Sequence, residues 1–327
     1  MALTKRALIT GINGQDGSYL AESLLAKAYE VHGIVRRSAL ESKLKLGNIE
    51  HMLNRLQLHS ATLENHLSIY KVIALVQPDE CYHLAASSFV SYDFGDEASI
   101  ISINFNSTHF LLSCLRELVP QCRFYYAGSS EMFGEAESSP QNERTCFNPR
   151  SIYGISKLSS YFAVKNYRER HKFFACTGIS YNHESVRRGP EYVTRKIAQG
   201  VARIHSGKEE SIELGNLDVY RDWGYAPEYV EAMWKMLNAE SPHDYVISTG
   251  TIHSLGELLE VAFSTVNLDY RKHVRLNERY FRPSENTPLR GDPSLIERNL
   301  GWKASKNFAE MIREMVLHEC QLIRTQQ

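Results

Sequence analysis

The sequence predicts an α/β protein, in which a doubly wound parallel sheet is joined to a smaller, mixed α/β C-terminal lobe. Two observations support this fold class. An N-terminal apolar run ends in a glycine-rich turn, and β-like and helix-like segments then alternate up to about residue 181. Beyond this point the pattern is less regular, with Gly and Pro punctuation and charged loops. We therefore predict a main domain in 1–181, which also receives parts of 215–245 and 288–305, and a lobe formed mainly by 182–327.

The first strand, helix and second strand are predicted at 7–10, 18–28 and 31–35. The helix places Leu20, Leu24 and Leu25 at helical spacing, and the two strands are short apolar runs. Further strands are predicted at 56–59, 81–85, 123–127 and 175–181, with a helix at 108–118. Near the C-terminus, one helical face is predicted for Phe308, Met311, Ile312 and Met315. The alternation of strands and helices indicates a mainly parallel sheet.

Composition argues against several classes of protein. The 37 Lys and Arg nearly balance the 38 Asp and Glu, so no broad field favours nucleic acid or an anionic membrane. The six cysteines form no CxxC pair, which predicts reduced thiols, no metal site and a cytoplasmic location. The N-terminus leads directly into the first strand, and no apolar run is long enough to span a bilayer.

The glycine-rich turn predicts a dinucleotide site. Gly11, Gly14 and Gly17 form a GxxGxxG pattern between the first strand and the first helix, where backbone and helix N-terminus can approach a pyrophosphate. The same glycines would also suit a plain tight turn, so their position between strand and helix is the deciding feature. The neighbouring predicted cofactor contacts are Asn13, Gln15 and Asp16.

The end of the second strand predicts which dinucleotide is bound. An NAD site usually has Asp or Glu there, whereas this chain has Arg36, Arg37 and Ser38. These donors suit a 2′-phosphate, so the expected cofactor is NADP. The alternative is that the two arginines are simply solvated in a loop.

Two further segments predict proton chemistry. Tyr153 and Lys157 are four residues apart and share one face of a helix, so the ammonium could stabilise a tyrosinate. We expect this interaction to lower the pKa of the Tyr153 phenol from its usual value of about 10 towards neutrality. Ser129 and Glu131 follow the strand at 123–127, and loops at the carboxyl ends of parallel strands bind ligands. Elsewhere a Tyr and Lys at this spacing would be an aromatic beside a solvated charge, and Ser129 could merely cap a turn.

Several stretches resemble the GDP-mannose 4,6-dehydratase family, within the extended short-chain dehydrogenase/reductase superfamily. The similar stretches are residues 11–20, 31–38, 129–134, 182–185, 193–196, 214–218, 221–224, 280–283 and 291–293. The glycine and YxxxK motifs belong to the whole superfamily, while the NHES, RDWG and FRP elements are more specific. The resemblance extends along the whole chain and implies a Rossmann sheet with a substrate-binding lobe.

This resemblance implies that a GDP-sugar is oxidised at C4, loses water across C5 and C6, and is reduced at C6 by the same NADP. Tyr153, tuned by Lys157, would take the C4 hydroxyl proton. Glu131 would remove the C5 proton, and Ser129 would hydrogen-bond near C4. The expected assembly is a homodimer or homotetramer.

The resemblance also implies binding residues. Those expected at the cofactor are Thr62, Leu63, Leu84, Ala85, Ala86, Ser87, Ser88, Lys157, His183 and Arg188. Those expected at the sugar nucleotide are Ser87, Ser129, Glu131, Asn182, Val193, Lys196, Gly215, Arg221, Arg282 and Glu285. Within this set the cations Lys196, Arg221 and Arg282 would meet the diphosphate and ribose region.

The chain departs from the family pattern at three positions. Thr62 replaces the aspartate expected at the adenine, Ser129 replaces a threonine, and Val186 replaces a proline. These changes leave room for another sugar nucleotide, such as a GDP-manno-heptose. A 4-epimerase or 4-keto reductase on the same scaffold would not need Glu131, and a non-catalytic NADP-sensing protein would not need Tyr153 or Lys157.

Overall fold

Residues 4–87, 94–280 and 287–325 are described in a computed structural model of the chain. Its strands are β1 Arg6–Thr10, β2 Glu30–Val35, β3 Leu56–Ser60, β4 Glu80–His83, β5 Arg123–Ser129, β6 Ala175–Ser180, β7 Asn182–Glu184, β8 Ile212–Leu214, β9 Tyr220–Arg221, β10 Trp223–Tyr225, β11 Tyr245–Ile247, β12 His253–Ser254 and β13 Val274–Leu276. Its helices are α1 Gln15–Ala26, α2 Arg37–Leu40, α3 His66–Val76, α4 Phe94–Ile101, α5 Ser107–Leu118, α6 Ile152–His171, α7 Val193–His205, α8 Ala226–Leu237, α9 Leu255–Ser264, α10 Ser294–Leu300 and α11 Phe308–Thr325. Shorter helical segments are the 3₁₀ turns Lys43–Arg55, Ser130–Met132, Tyr270–Lys272 and Glu278–Tyr280 and the π-turn Ser102–Asn106.

The main sheet confirms the predicted doubly wound fold. Within the described ranges it has seven parallel strands in the order β11-β6-β5-β4-β1-β2-β3. The chain order reverses between β1 and β4, and ligands of open α/β sheets bind beyond the carboxyl ends of the strands at such a point.

Helices cover both faces of this sheet because the strand side chains alternate. Ala7 and Ile9 of β1 belong to a buried cluster with residues of α1 and α8, whereas Leu8 lies in a second cluster with residues of α3, α5 and α6. Strands that are buried on both faces read as continuous apolar runs, which is why β1 and β2 could be recognised.

Most predicted elements are confirmed to within a few residues, but the predicted strand at 81–85 ends at His83. The amide groups of Leu84 and Ala85 each donate to Thr10 Oγ1 at 3.1 Å instead of continuing the ladder. The turn after β4 is therefore held against the end of β1.

The C-terminal part contributes to both layers of the molecule. β11 extends the sheet beside β6, and Trp302 and Ile296 pack in the cluster that contains α1 and α8. α7, α9 and α11 enclose a separate core, in which Met311, Ile312 and Met315 are buried as their spacing predicted. In the described part of the chain, no helix combines the length and apolar character of a membrane span.

Candidate active site

The predicted cofactor residues lie at one edge of the sheet, because each segment follows a parallel strand. The glycine turn follows β1, Arg36 to Ser38 follow β2, Thr62 and Leu63 follow β3, and Leu84 to Ser87 follow β4, while the catalytic candidates Ser129 and Glu131 lie at the end of β5 and just after it. Asn182 and His183 begin β7, directly after β6. Ser88 lies outside the described residues.

The glycine turn holds the start of α1 close to β1. Gly14 donates from its amide to the Gly11 carbonyl at 3.0 Å and occupies the N-cap of α1. A Cβ on Gly17 would collide with the Gly11 carbonyl and with Ile12, so this close approach requires glycine. Among the described residues no side chain caps α1. Its first amide groups and positive dipole end therefore fit a phosphate.

Gln15 and Asp16 at the start of α1 contact the segment after β6. The Asp16 carboxylate pairs with His183 Nε2 at 2.8 Å, while His183 Nδ1 lies 2.7 Å from the Tyr181 carbonyl. Gln15 donates to the His183 carbonyl at 3.1 Å and accepts from Ser185 Oγ at 2.9 Å. These contacts tie the glycine turn to the lobe.

Both nitrogens of the His183 ring face acceptors, which favours the charged form of the ring. Burial lowers the pKa of His183, but the Asp16 carboxylate outweighs it and raises the pKa above 6.5. Burial likewise raises the pKa of Asp16, and the His183 imidazolium more than offsets this, so the pKa of Asp16 falls below 3.8.

The residues after β2 are exposed. Arg36 is the N-cap of α2, and the Arg37 guanidinium pairs at 3.2 Å with Glu41, the C-cap of the same helix. Ser38 Oγ accepts a hydrogen bond from Lys45 Nζ at 3.3 Å. The loop thus presents polar donors at the end of β2.

The loops after β3 and β4 are held mainly through backbone groups. Thr62 donates its amide to Ser68 Oγ at 3.4 Å, and Leu63 packs against the cluster that contains α3. Ala86 lies between Ala85 and Ser87, and the Ser87 amide donates to Asn104 Oδ1 at 2.8 Å. These small residues leave the backbone accessible to a planar ligand.

Asn104 was missed by sequence reasoning, although it connects two predicted site segments. This residue of the π-turn is 2% exposed, and its amide donates to the Ser87 carbonyl at 3.1 Å and to Ser156 Oγ at 3.0 Å. Ser156 Oγ in turn donates to the Tyr153 carbonyl at 2.8 Å. A π-turn between two helices, here α4 and α5, is the kind of irregularity that often marks a functional site, but the sequence pattern does not reveal it.

The structure brings Ser129, Glu131, Tyr153 and Lys157 together, and we refer to them as the tyrosine cluster. Ser129 ends β5, and its Oγ accepts from the Glu131 amide at 3.2 Å. A side-chain hydrogen bond also joins Ser129 to Tyr153. Ser129 therefore caps the turn, which was the alternative considered for it, and also contacts Tyr153.

Gly154 lets α6 approach Glu131 closely. A Cβ at this position would lie 2.5 Å from the Glu131 carbonyl oxygen. The Ser151 hydroxyl accepts from the Gly154 amide at 3.0 Å and caps α6, so the first turn carrying Tyr153 is fixed against the end of β5.

Lys157 is almost fully buried and contacts backbone. It is 4% exposed, and its Nζ donates to the Ala127 carbonyl at 2.8 Å and lies 5.7 Å from the centre of the Tyr153 ring. Burial lowers the pKa of Lys157 to about 8, opposed by the negative charge of Asp16.

The expected lowering of the pKa of Tyr153 by Lys157 is wrong for the protein alone. Burial raises the pKa of Tyr153 well above 10, the hydrogen bond from Ser129 opposes this, and the charges of Tyr192 and Glu131 add to it. Helical spacing predicted that Tyr153 and Lys157 are neighbours, but it contains no information on desolvation.

Arg188 and Tyr192 form a second border of the tyrosine cluster. The Arg188 guanidinium lies 3.5 Å from the centre of the Tyr192 ring and pairs with the buried Glu184 at 3.1 Å. The positive charge of Arg188 lowers the pKa of Tyr153. Arg188 was predicted at the cofactor, whereas Tyr192 was not singled out by its sequence context.

The predicted sugar-nucleotide residues of the lobe lie on short or terminal elements. Val193 begins α7 and is 38% exposed, Lys196 is one turn further, Gly215 follows β8, and Arg221 ends β9; we refer to these four as the lobe cluster. Lys196 Nζ donates to the Glu213 carbonyl at 2.9 Å and lies 4.5 Å from the centre of the Tyr280 ring. Arg282 and Glu285 lie outside the described residues.

Comparisons with known proteins place these residues in a family context. The profile of the family described as GDP-mannose 4,6 dehydratase matches residues 8–315. A GDP-mannose 4,6 dehydratase from Drosophila melanogaster is 42% identical over 98% of this chain and 87% of that protein. GDP-mannose 4,6 dehydratase 2 from Arabidopsis thaliana is 43% identical over 98% of this chain and 88% of that protein. The crystal structure of a dTDP-glucose 4,6-dehydratase from Streptomyces venezuelae has a TM-score of 0.83, 21% identity and 97% coverage of both chains, which supports the fold.

Proposed function

The chain belongs to the GDP-mannose 4,6-dehydratase family, and we propose that it is a hydro-lyase that converts GDP-mannose into GDP-4-keto-6-deoxy-mannose with bound NADP. The observation that carries the proposal is the tyrosine cluster, which combines an alcohol-directed tyrosine with a carboxylate on the neighbouring turn. A 4-epimerase or 4-keto reductase would leave the carboxylate of Glu131 without a role.

Tyr153 is the proposed base for the C4 hydroxyl. Bound NADP⁺ would supply a hydride acceptor at C4 and later return the same hydride to C6. Lys157 would stabilise the tyrosinate from below the ring, and Ser129 would hold the phenolic oxygen through its hydrogen bond. Because burial raises the pKa of Tyr153, removal of the C4 hydroxyl proton would depend on the positive charge that the nicotinamide ring of bound NADP⁺ brings to this pocket.

Glu131 is the proposed acid–base residue of the elimination. A ketone at C4 acidifies the C5 proton, which Glu131 would remove. The electron pair of the C5–H bond then forms the C5–C6 double bond, and the C6 hydroxyl leaves as water with the proton that Glu131 returns. When hydride is returned to C6, C5 would regain a proton from Tyr153, which holds the proton taken from the C4 hydroxyl. The residue lies at the carboxyl end of β5 and is half-buried, so it can reach a ligand at the sheet edge.

The binding residues follow from their positions. The uncapped start of α1 would hold the pyrophosphate, Arg36 to Ser38 the 2′-phosphate, and the loop after β4 the nicotinamide half. The lobe cluster would hold the GDP moiety. Assembly into a homodimer or homotetramer, a cytoplasmic location and the domain division at residue 181 are parts of the same proposal.

A product assay tests the reaction. The purified protein is incubated with GDP-mannose, and the products are analysed by mass spectrometry while NADPH absorbance is followed. We expect loss of one water from the sugar nucleotide with no net change in NADPH. Stoichiometric NADPH consumption would indicate a reductase, a product of unchanged mass would indicate an epimerase, and no turnover of GDP-mannose would contradict the assignment.

A further inference from the structure

The 3₁₀ segment Lys43–Arg55 is fastened to the glycine turn. Asn13 Nδ2 donates to the Lys45 carbonyl at 3.0 Å, and Asn48 Nδ2 donates to the Asn13 carbonyl at 3.2 Å. The segment also buries three apolar side chains in the cluster that contains α1, namely Leu46, Ile49 and Met52. The backbone of Lys45 therefore has a defined position relative to the turn, although its side chain is exposed.

From this position the Lys45 ammonium reaches the end of β2. Its Nζ donates to Ser38 Oγ at 3.3 Å, so the cation lies beside the residues expected at a 2′-phosphate. Arg37 in the same loop is paired with Glu41 at 3.2 Å, which neutralises part of its charge. Lys45 thus adds a cation to this loop from a different part of the chain.

The charge of the 2′-phosphate explains why a cation such as the Lys45 ammonium would favour NADP over NAD. A phosphate monoester carries between one and two negative charges near neutrality and offers strong acceptor oxygens. NAD has a neutral hydroxyl at the same atom, which gains little from an ammonium. A cation that is positioned by its own backbone contacts can discriminate between the two dinucleotides.

We propose that Lys45 is a specificity-determining residue that binds the 2′-phosphate of NADP together with Arg36 and Ser38. This assignment rests on the proposed use of NADP by the enzyme. The sequence spacing alone did not indicate it, because Lys45 and Ser38 meet only when the segment Lys43–Arg55 docks against the glycine turn.

Calorimetric titration of the full-length protein tests the proposal. Each variant is titrated with NADP⁺ and NAD⁺, and with adenosine 2′,5′-bisphosphate and AMP, which differ only in the 2′-phosphate and lack nicotinamide. For Lys45→Ala we expect the Kd for NADP⁺ and for the bisphosphate to rise about tenfold, and the Kd for NAD⁺ and AMP to change less than about twofold. The salt dependence of NADP⁺ binding should also become weaker.

Two variants control for unspecific effects. Lys45→Arg keeps the cation and should retain most of the NADP⁺ affinity, whereas Lys71→Ala removes another exposed lysine, on α3, and should leave all four ligands unchanged. Equal weakening of NADP⁺ and NAD⁺ by Lys45→Ala would show that Lys45 only supports the segment, and unchanged binding would equally overturn the assignment. If the unmodified protein does not prefer NADP⁺, the proposed cofactor is wrong, and the ligand assigned to Lys45 is wrong with it.

Discussion

The tyrosine cluster and the lobe cluster, which we propose bind the same ligand, are built differently. Tyr153 and Lys157 stand on the long helix α6, which packs on the sheet, and Lys157 is 4% exposed. Val193 and Arg221, in contrast, lie at the ends of elements and are half-buried or exposed. Proton transfer requires fixed geometry in a dry site, whereas a nucleotide must enter and leave. We therefore expect changes in the tyrosine cluster to affect rate and changes in the lobe cluster to affect binding.

The largest effect is expected for Tyr153→Phe. This variant removes the phenolic oxygen and keeps the ring that Lys157 and Arg188 border, so the fold and the cofactor affinity should be retained. The kcat should fall by about a thousandfold, since removing a general base typically costs 10²–10⁴-fold. The measurements are kcat by product analysis and the Kd for NADP⁺ by calorimetry. A comparable loss of cofactor affinity would show instead that Tyr153 mainly supports the pocket.

A smaller loss, about a hundredfold in kcat, is expected for Glu131→Gln. The amide keeps the shape of the side chain and cannot accept the C5 proton. Oxidation at C4 should continue slowly, so NADPH absorbance would appear in a single turnover, while exchange of the C5 proton with deuterated water should cease. Unchanged exchange would assign the C5 proton to another base, and Glu135→Gln on the following exposed loop is a control.

For the lobe cluster we expect a tenfold effect on KM instead of an effect on kcat. Lys196→Met keeps much of the aliphatic stem and removes the ammonium that lies over the Tyr280 ring, so the KM for GDP-mannose should rise about tenfold with little change in kcat. Lys208→Met, at an exposed position of the same lobe, is the matched control. A fall in kcat at unchanged KM would contradict the division between the two clusters.

The contrast between local and tertiary information also explains what the sequence could predict. The first βαβ unit and the glycine turn were recognised because apolar periodicity and glycine placement are properties of neighbouring residues. β11, a three-residue strand at Tyr245–Ile247, carries too short a pattern to be recognised, although it completes the edge of the sheet. The prediction of 81–85 extended too far because a hydroxyl on another strand, Thr10 Oγ1, captures the next amides.

The same limit applies to the candidate site. The residues of the tyrosine cluster could be predicted from spacing and family resemblance, because their residue types alone indicate which chemistry they can perform. The direction of the pKa shift of Tyr153 could not be predicted, since it depends on the burial of this side chain in the folded protein. Asn104 and Tyr192 were missed because their importance depends on tertiary contacts. A buried amide and a stacked phenol leave no pattern among neighbouring residues in the sequence.

The smallest effect is expected at the contact that joins the two regions, the Asp16–His183 ion pair. His183→Gln should lower the free energy of unfolding by about 1 kcal/mol at pH 5, because the glutamine amide can still donate to the Asp16 carboxylate, which is 23% exposed and keeps contact with water. His183 has a raised pKa in the folded protein, so its contribution is complete below 6.5, the pKa in the unfolded chain, and is lost as pH rises through the folded value. Asp16 has a lowered pKa, so its contribution is complete above 3.8 and is lost as pH falls through its folded value.

The difference between wild type and His183→Gln should therefore be largest between about pH 4 and 6.5 and should shrink on either side. This difference in the free energy of unfolding is measured by urea unfolding of both proteins at a series of pH values. The exposed pair of His253 and Glu257 supplies a control, since His253→Gln removes a histidine whose carboxylate partner is 56% exposed, and its stability should vary far less with pH. A His183→Gln difference that is constant across this range would mean that the imidazole acts through its stacking on Tyr229, at 4.5 Å between ring centres, and that charge does not couple the glycine turn to the lobe.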